Sequence, residues 1–390
     1  MKKTPKLRFK EFSGDWESKK LGSICDVTMG QSPSSSCYNE ENIGLPLIQG
    51  NADVLARKTS PRVYTSDITK TCDIGDIIMS VRAPVGAISK SMHNACIGRG
   101  VCSIKPKQNS EFIYQFLVKY EDKWSRISQG STFESVNRTD IIDTKVFVPS
   151  KDEQEKIASF FTLIDDKISL QGEKVEAFKD YKKGMMQKIF SKELRFKDDD
   201  GRDYPEWKEG KVKDVITEHL YPIDKPSNSY WRLGLRSHGK GTFHEFVTDP
   251  SKVSMDKLYV VKKNMLIVNI TFAWEHAIAI TDTLDEGKLV SHRFPTYDFN
   301  ENAVYDFYKY YILLPKFKYC LLNASPGGAG RNRVLNKKQF LEIDVPIPCI
   351  EEQKKISKIL NQLDIKINKE QKKLDYLNEY KKGLLQQMFV

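Results

Sequence analysis

The chain has 390 residues, 39% of them hydrophobic, enough apolar material for the cores of a soluble protein of about two to three ordinary domains. Lys and Arg number 62 against 52 Asp and Glu, a formal net charge of +10 that favours a polyanionic partner without establishing one. Lys2 and Lys3 lead into no apolar stretch of signal-peptide length and no apolar run is long enough to span a membrane. The seven cysteines contain no CxxC pair, which fits a reduced compartment; a cytoplasmic location is expected. His93, Cys96 and Cys102 lie close in sequence but read as buried small residues, so no metal is expected.

In chain order, Leu7-Arg-Phe-Lys10 and Trp16 open the first half. Gly75-Asp-Ile-Ile-Met-Ser-Val81 reads as a strand, Glu111 to Lys119 as a helix, and Lys145-Val-Phe-Val148 as a strand ended by Pro149. A long helix then opens with acid in its first turn at Asp152. The polar, breaker-rich Asp198-Asp-Asp-Gly-Arg-Asp-Tyr-Pro205 reads as a link between halves. In the second half, Leu194-Arg-Phe-Lys197 and Trp207 echo the opening. Leu266 to Ile270 is a strand, Tyr305 to Leu314 a helix, Ile343-Asp-Val-Pro-Ile347 a strand, and Pro348 precedes a second long helix from Glu351.

The two long helices are copies. At a shift of 199 residues, 14 of the 39 residues from Asp152 to Phe190 recur identically between Glu351 and Phe389, including Glu153-Gln154 and the Tyr181-Lys-Lys-Gly184 run. Two such units make a duplicated domain, since a solenoid needs at least three shorter ones. In the first copy Ile157, Phe161, Ile164, Ile168, Val175, Phe178, Met185 and Ile189 follow alternating spacings of four and three, with Gln171 and Lys182 in the polar places. In the second, Glu370 and Lys381 hold those places. This is a heptad seam on a helix of about 57 Å at 1.5 Å per residue, too long for one small domain. A parallel pairing sets Lys182 against Lys381 and Gln171 against Glu370, so an antiparallel coiled coil is expected. The fold class is therefore α+β, with two related globular domains joined by two long paired helices. The boundaries are residues 1–149 and 206–348 for the domains, 150–190 and 349–390 for the helices, and 191–205 for a linker.

This layout resembles the specificity subunit of type I restriction-modification systems over essentially the whole chain. The likeness is carried by Val146-Phe-Val-Pro149 with Glu153-Gln-Glu-Lys-Ile157, and by Val345-Pro-Ile-Pro348 with Glu352-Gln-Lys-Lys-Ile356. In the first half Gly30-Gln-Ser-Pro33, Gly75-Asp-Ile-Ile78, Arg82-Ala-Pro-Val-Gly86 and Arg99-Gly100 match smaller loop motifs. The second half departs from them, with Lys263-Asn-Met-Leu and Thr271-Phe-Ala-Trp in the places of Gly-Asp-Ile-Ile and Arg-Ala-Pro-Val. The resemblance implies a non-catalytic subunit of an adenine-specific DNA methyltransferase and type I site-specific deoxyribonuclease complex. Each target-recognition domain reads half of a bipartite site on double-stranded DNA. The helices set the spacer and dock two methyltransferase subunits, and restriction or motor subunits join in the full complex. No cofactor is implied for this chain; S-adenosylmethionine belongs with the methyltransferase partner, ATP and magnesium with the motor-nuclease partner.

The residues agree with that division of labour, because neither an Asn-Pro-Pro-Tyr motif nor a glycine-rich dinucleotide fingerprint occurs. Gly234-Leu-Arg-Ser-His-Gly-Lys240 has phosphate-loop spacing, but Gly241 stands where a magnesium-holding Ser or Thr is needed. It reads better as a basic loop. Arginine forks suit guanine and Asn or Gln amides suit adenine, so the DNA-reading candidates in the first domain are Gln31, Ser32, Ser34, Gln49, Asn51, Arg82, Ser131 and Thr132. In the second they are Arg236, Ser237, His238, Lys240, Arg293, Arg331, Asn332 and Arg333. Arg99, between glycines, suits bracing a loop as well as touching DNA. Tyr181 and Tyr380 are the candidates for partner contact. The alternative is a stand-alone double-stranded DNA-binding coiled-coil scaffold, which explains the helices but not two domains with different basic loops. Six scattered histidines supply no catalytic cluster.

Overall fold

The computed structural model describes residues 4–128, 135–327 and 333–390. It divides into two compact units, Met1–Val175 with Glu370–Val390, and Glu176–Lys369. The units cut across the sequence repeat. Each combines one globular domain with part of both long helices, Lys151–Phe190 and Ile350–Met388.

In the first unit a sheet of six strands runs in the order Cys25–Met29, Val101–Pro106, Ile77–Ser80, Ile88–Lys90, Lys58–Thr59, Val54–Leu55. A second sheet has the order Tyr38–Asn39, Val63–Thr65, Leu45–Ile48, Ala95–Ile97, Thr71–Cys72. Side chains alternate faces along a strand. Ile77 and Met79 therefore enter the core shared with the helices, while Ile78 enters the smaller core with Ile48 and Ile97. Burial on both faces explains why this strand runs apolar from Ile77 through Met79 instead of alternating, with buried Ser80 at its end.

The second unit repeats the plan. Its four-stranded sheet, Ile216–Glu218, Thr296–Phe299, Leu266–Val268, Ile278–Ile280, follows the order of the first four strands above. Leu266 and Val268 face the helix-side core and Ile267 the other. The five-stranded sheet, Pro222–Asp224, Lys257–Val260, Leu289–Val290, Tyr230–Leu235, Thr242–Val247, keeps the same four inner partners but gains its extra strand at the opposite edge. The backbone corrects one residue of the sequence alignment. Gly75, at φ +89, donates its N–H to the Ser91 carbonyl, and Asn264, at φ +62, donates to Thr281. Gly75 thus corresponds to Asn264 and not to Lys263, because asparagine is among the few non-glycine residues that accept the left-handed region.

The helix expected from Glu111 extends over Ser110–Ser128, whereas that from Tyr305 stops at Tyr311. Leu314 is extended at ψ 145, as a residue before proline prefers, and Pro315 starts a new helix, Pro315–Asn323. The stretch read as a linker is packed: Leu194 and Phe196 join the second unit's core, and Asp198 accepts the backbone N–H groups of Asp200 and Arg202 at 2.9 and 2.8 Å.

Three elements repeated in the sequence turn out to be one device. In the first unit Arg8 donates to both carboxylate oxygens of Glu153 at 2.7 Å, and the Trp16 indole N–H donates at 3.3 Å. In the second, Arg195 grips Glu352 at 2.8 and 3.0 Å, with the Trp207 indole at 2.8 Å. Gln154 and Gln353 each donate to the carbonyl of the proline that precedes the helix, at 3.0 and 2.9 Å. The Glu-Gln pair is therefore the socket that fastens each long helix to its domain. Phe389, at the far end of the repeat, packs with Trp16, Phe112, Phe116 and Phe161, while Phe190 packs with Trp207, Phe307 and Tyr311. Each domain is capped by the end of the helix belonging to the other repeat.

The helix pair is antiparallel. In the first unit Lys381 meets Asp165 and Gln171 meets Glu370; in the second Lys182 meets Asp364. The seam residues named from sequence are buried or half-buried throughout. Gln171 faces Glu370 here as it would in a parallel pairing. The two positions lie where the antiparallel pairing maps one onto the other, and Gln171 donates to both the backbone carbonyl and Oε2 of Glu370 at 2.9 Å. That hydrogen bond, then those from Lys373, with Lys174 adding and burial opposing, hold the Glu370 carboxyl down at about 2. A depressed acid stabilises the fold fully above its ordinary value and loses that contribution as pH falls towards the folded value. Thermal melts of the wild type and Glu370→Gln should differ by a constant amount above about pH 5 and converge as pH approaches about 2. A gap that stays constant down to that pH counts against the assignment.

Candidate nucleic-acid interface

Four backbone segments of the first unit are laced into one floor. The Gly30 N–H donates to Val101 at 3.0 Å, Gln31 to Ile97 at 2.9 Å, Gly98 to Ile48 at 2.8 Å and Val81 to Gly100 at 2.9 Å. The Arg99 N–H donates to the Ser32 hydroxyl at 3.2 Å. These approaches require glycine, since a Cβ on Gly30 meets the Gly98 carbonyl oxygen at 2.1 Å and one on Gly100 meets that of Gln49 at 2.2 Å. The Gln49 N–H is held by the buried carboxylate of Asp53 at 2.8 Å, which Arg62 also contacts at 3.2 Å.

Over this floor opens a concavity of about 510 Å³, lined by Ser32, Pro33, Ser35, Tyr38, Gln49, Gly50, Asn51, Arg82, Ala83, Arg99 and Gly100. The structure thus brings together Ser32, Gln49, Asn51 and Arg82 from the sequence candidates. It adds Arg99, whose signals in the sequence were its glycine neighbours and its place in a loop motif. Gln31 and Ser34 are exposed but do not line the concavity, and the Ser34 hydroxyl pairs with that of Ser36 at 2.8 Å. Ser131 and Thr132 lie outside the described residues. The chain beyond them returns to the site, where Arg82 and Ser135 form an antiparallel bridge and the Val136 N–H donates to Val81 at 3.1 Å.

The second unit has a smaller cavity, about 260 Å³, on equivalent loops. Thr271 and Phe272 line it from the loop that corresponds to Arg82-Ala83, and Ser291, Arg293 and Phe294 from the loop that corresponds to Gly98–Gly100. Here too the returning chain abuts the loop, with the Leu335 N–H donating to Ile270 at 2.8 Å. Arg333 is half-buried and forms a backbone bridge with Gly327; Arg331 and Asn332 lie outside the described residues.

The remaining candidates stand apart from this cavity, on the turn between Tyr230–Leu235 and Thr242–Val247. A phosphate-binding loop runs from a strand into a helix. This hairpin, with His238, Gly239 and Gly241 all at positive φ, has no such geometry. Arg236 donates to the Thr242 carbonyl and lies 5.3 Å over the Phe243 ring, while Ser237 donates to Glu275 at 2.6 Å. Both are committed to bracing the turn, and His238 and Lys240 are exposed. Elsewhere, Cys96 and Cys102 are buried in different sheets and the His93 ring faces the Thr59 hydroxyl at 3.2 Å. Among the described residues no helix is long and apolar enough to cross a membrane.

The family described as the type I restriction modification DNA specificity domain matches residues 13–178 and again 205–379, and the chain belongs to that family. A putative type I restriction enzyme MjaX specificity subunit of Methanocaldococcus jannaschii is 34% identical over 192 residues, 48% of this chain and 45% of that protein. The type I restriction enzyme MjaIX specificity subunit of the same organism is 28% identical over 167 residues, 40% of this chain and 39% of that one. Each match takes in less than half of the relative's own length. A crystal structure of a type I restriction-modification S subunit from M. genitalium, 17% identical, aligns over 99% of both chains with a TM-score of 0.57, which shows a common fold.

Proposed function

We propose that this chain is the DNA specificity subunit of a type I restriction-modification complex, with each unit reading one half of a bipartite site. The observation that carries this reading is a scaffold used twice with different linings. Two equivalent loops border both cavities, yet Arg82 and Arg99 line one of them where Thr271, Phe272, Arg293 and Phe294 line the other, and the rest of the lining differs as well, with Gln49 and Asn51 in the first and Arg232 and Asn269 in the second. A duplicated frame with diverged side chains is what reading two different half-sites requires. The chain itself is non-catalytic on this reading. S-adenosylmethionine resides in the methyltransferase partner, ATP and magnesium in the motor-nuclease partner, and the complex works in the cytoplasm. The paired helices set the spacer between half-sites. Exposed Tyr181, and Tyr380 stacked on Tyr376 with centroids 6.2 Å apart, suit docking of two methyltransferase subunits.

The test is DNA affinity against salt, for the chain alone and with its methyltransferase partner. A net charge of +10 is modest for gripping two half-sites, so tight sequence-specific binding is expected only with the partner. The slope of log affinity against log salt is then steeper with the partner, by about 0.9 per phosphate neutralised. Equal affinity and equal slope without the partner would remove the clamp from this reading, and absence of any sequence preference in the complex would remove the reading itself.

A further inference from the structure

We propose that the first unit reads at least one guanine of its half-site from the major groove, through the guanidinium groups of Arg82 and Arg99, with Gln49 and Asn51 as adenine-reading amides beside them. The inference rests on the proposed function and specifies the chemistry of that same site.

Four arginines of the same unit are committed to the fold. Arg8 donates to Glu153, Arg57 to Glu121, Arg62 to Asp53 and Arg138 to the Val27 carbonyl. Arg82 and Arg99 are exposed, and among the described residues neither guanidinium has an acceptor. Both line one concavity, and their backbones are tied to each other through the Val81 to Gly100 hydrogen bond. The side chains of Gln49 and Asn51 are likewise exposed and without a hydrogen-bond partner among the described residues. Uncommitted planar donors on a rigid floor fit base edges, because a fork discriminates guanine O6 and N7 only where its root is fixed. Backbone contact alone needs no such floor. In the second unit Thr271 and Phe272 occupy the place of Arg82 and Ala83, and Arg293 lines the cavity from the other loop; substitutions at Arg82 and Arg99 therefore bear on one half-site.

The test uses the full chain in complex with its methyltransferase partner. The wild-type site is selected from a pool of randomised duplexes, and each guanine in it is then replaced by 7-deazaguanine, which lacks the N7 acceptor. At one or more positions of one half-site the wild type should lose about tenfold or more in affinity. Arg82→Ala or Arg99→Ala should bind the normal and the deaza duplex equally at such a position while still reading the other half-site. Arg82→Lys, which keeps the charge but not the fork, should behave like Arg82→Ala. Melting curves that match the wild type establish that the variants fold. A half-site without guanine overturns the proposal, as does a loss that is uniform across sequences with deaza sensitivity intact, the signature of phosphate contact. Selection of no site at all by the wild-type complex overturns the proposed function instead.

Discussion

Arg8→Ala should destabilise the first unit by about 3 kcal/mol, a large share of the total for an ordinary domain. Glu153 is only 1% exposed, and its two oxygens are satisfied by the Arg8 fork and the Trp16 indole. Removing the arginine strands a carboxylate that water cannot reach, and an uncompensated buried charge is far more damaging than the loss of an exposed ion pair. Arg195→Ala should act about as strongly on the second unit, since Glu352 is 0% exposed and Arg195 closes on the carbonyls of Tyr204 and Pro205 at 3.2 and 2.8 Å just as Arg8 closes on those of Ser13 and Gly14 at 3.1 and 2.6 Å. Trp16 and Trp207 each touch the affected carboxylate, so denaturant unfolding followed by tryptophan emission, with Trp124, Trp231 and Trp274 replaced by Phe, reports the change where it occurs. Glu153→Gln leaves the half-buried Arg8 guanidinium with the Gly14 and Ser13 carbonyls as acceptors at 2.6 and 3.1 Å, and should be milder than Arg8→Ala. Equal losses for the two variants would mean that packing, and not charge burial, dominates the socket.

The parts of the fold legible in the sequence are those with a short period. The seam could be read because seven-residue spacing survives in one chain segment without knowledge of any partner. The strand at Ile77 and its counterpart at Leu266 could be read because two buried faces leave a continuous apolar run. The Leu-Arg-Phe-Lys and Trp echoes were visible as repeats, but their meaning was not. Arg8 lies 145 residues from Glu153, and nothing local indicates that the partner of a repeated arginine is a repeated glutamate. The correspondence of Gly75 with Asn264 depended on φ, which a residue name constrains only loosely. At the candidate site, loop chemistry was enough to nominate Ser32, Gln49, Asn51 and Arg82. Separating Arg99 from a bracing arginine, or recognising Arg236 as one, required seeing which guanidinium already had an acceptor.

Breaking the seam's buried ion pairs should show an asymmetry that identifies their role. Lys381 is 9% exposed at its side chain and Asp165 34%, with 2.5 Å between them. Burial lowers the pKa of Lys381, and Asp165 opposes that shift. Folding therefore works against the charged lysine, a penalty present at neutral pH and relieved only as pH rises through its folded pKa towards the ordinary value. Asp165→Ala removes the carboxylate that chiefly compensates this charge, Glu111 adding a smaller share, and should destabilise the first unit by about 3 kcal/mol. Lys381→Met leaves an aspartate that is one-third open to water and still bonded by Gln115 at 2.7 Å, so its loss should be about 1 kcal/mol or less. The double variant Asp165→Leu with Lys381→Met should recover most of the stability, since a well-packed apolar pair commonly matches a buried ionic one. Its deficit should instead be one of register. Lys182 with Asp364, at 2.5 Å in the second unit, repeats the same pair at the 199-residue shift, and each lysine can meet an aspartate only when the helices run antiparallel. Cysteine cross-linking between positions 168 and 374 should be uniform in the wild type and accompanied by a cross-link between 182 and 381 in a double variant extended to both pairs. Uniform antiparallel cross-linking with both pairs apolar would assign the register to the domains that clamp the helix ends, leaving the ion pairs without the specifying role argued for them.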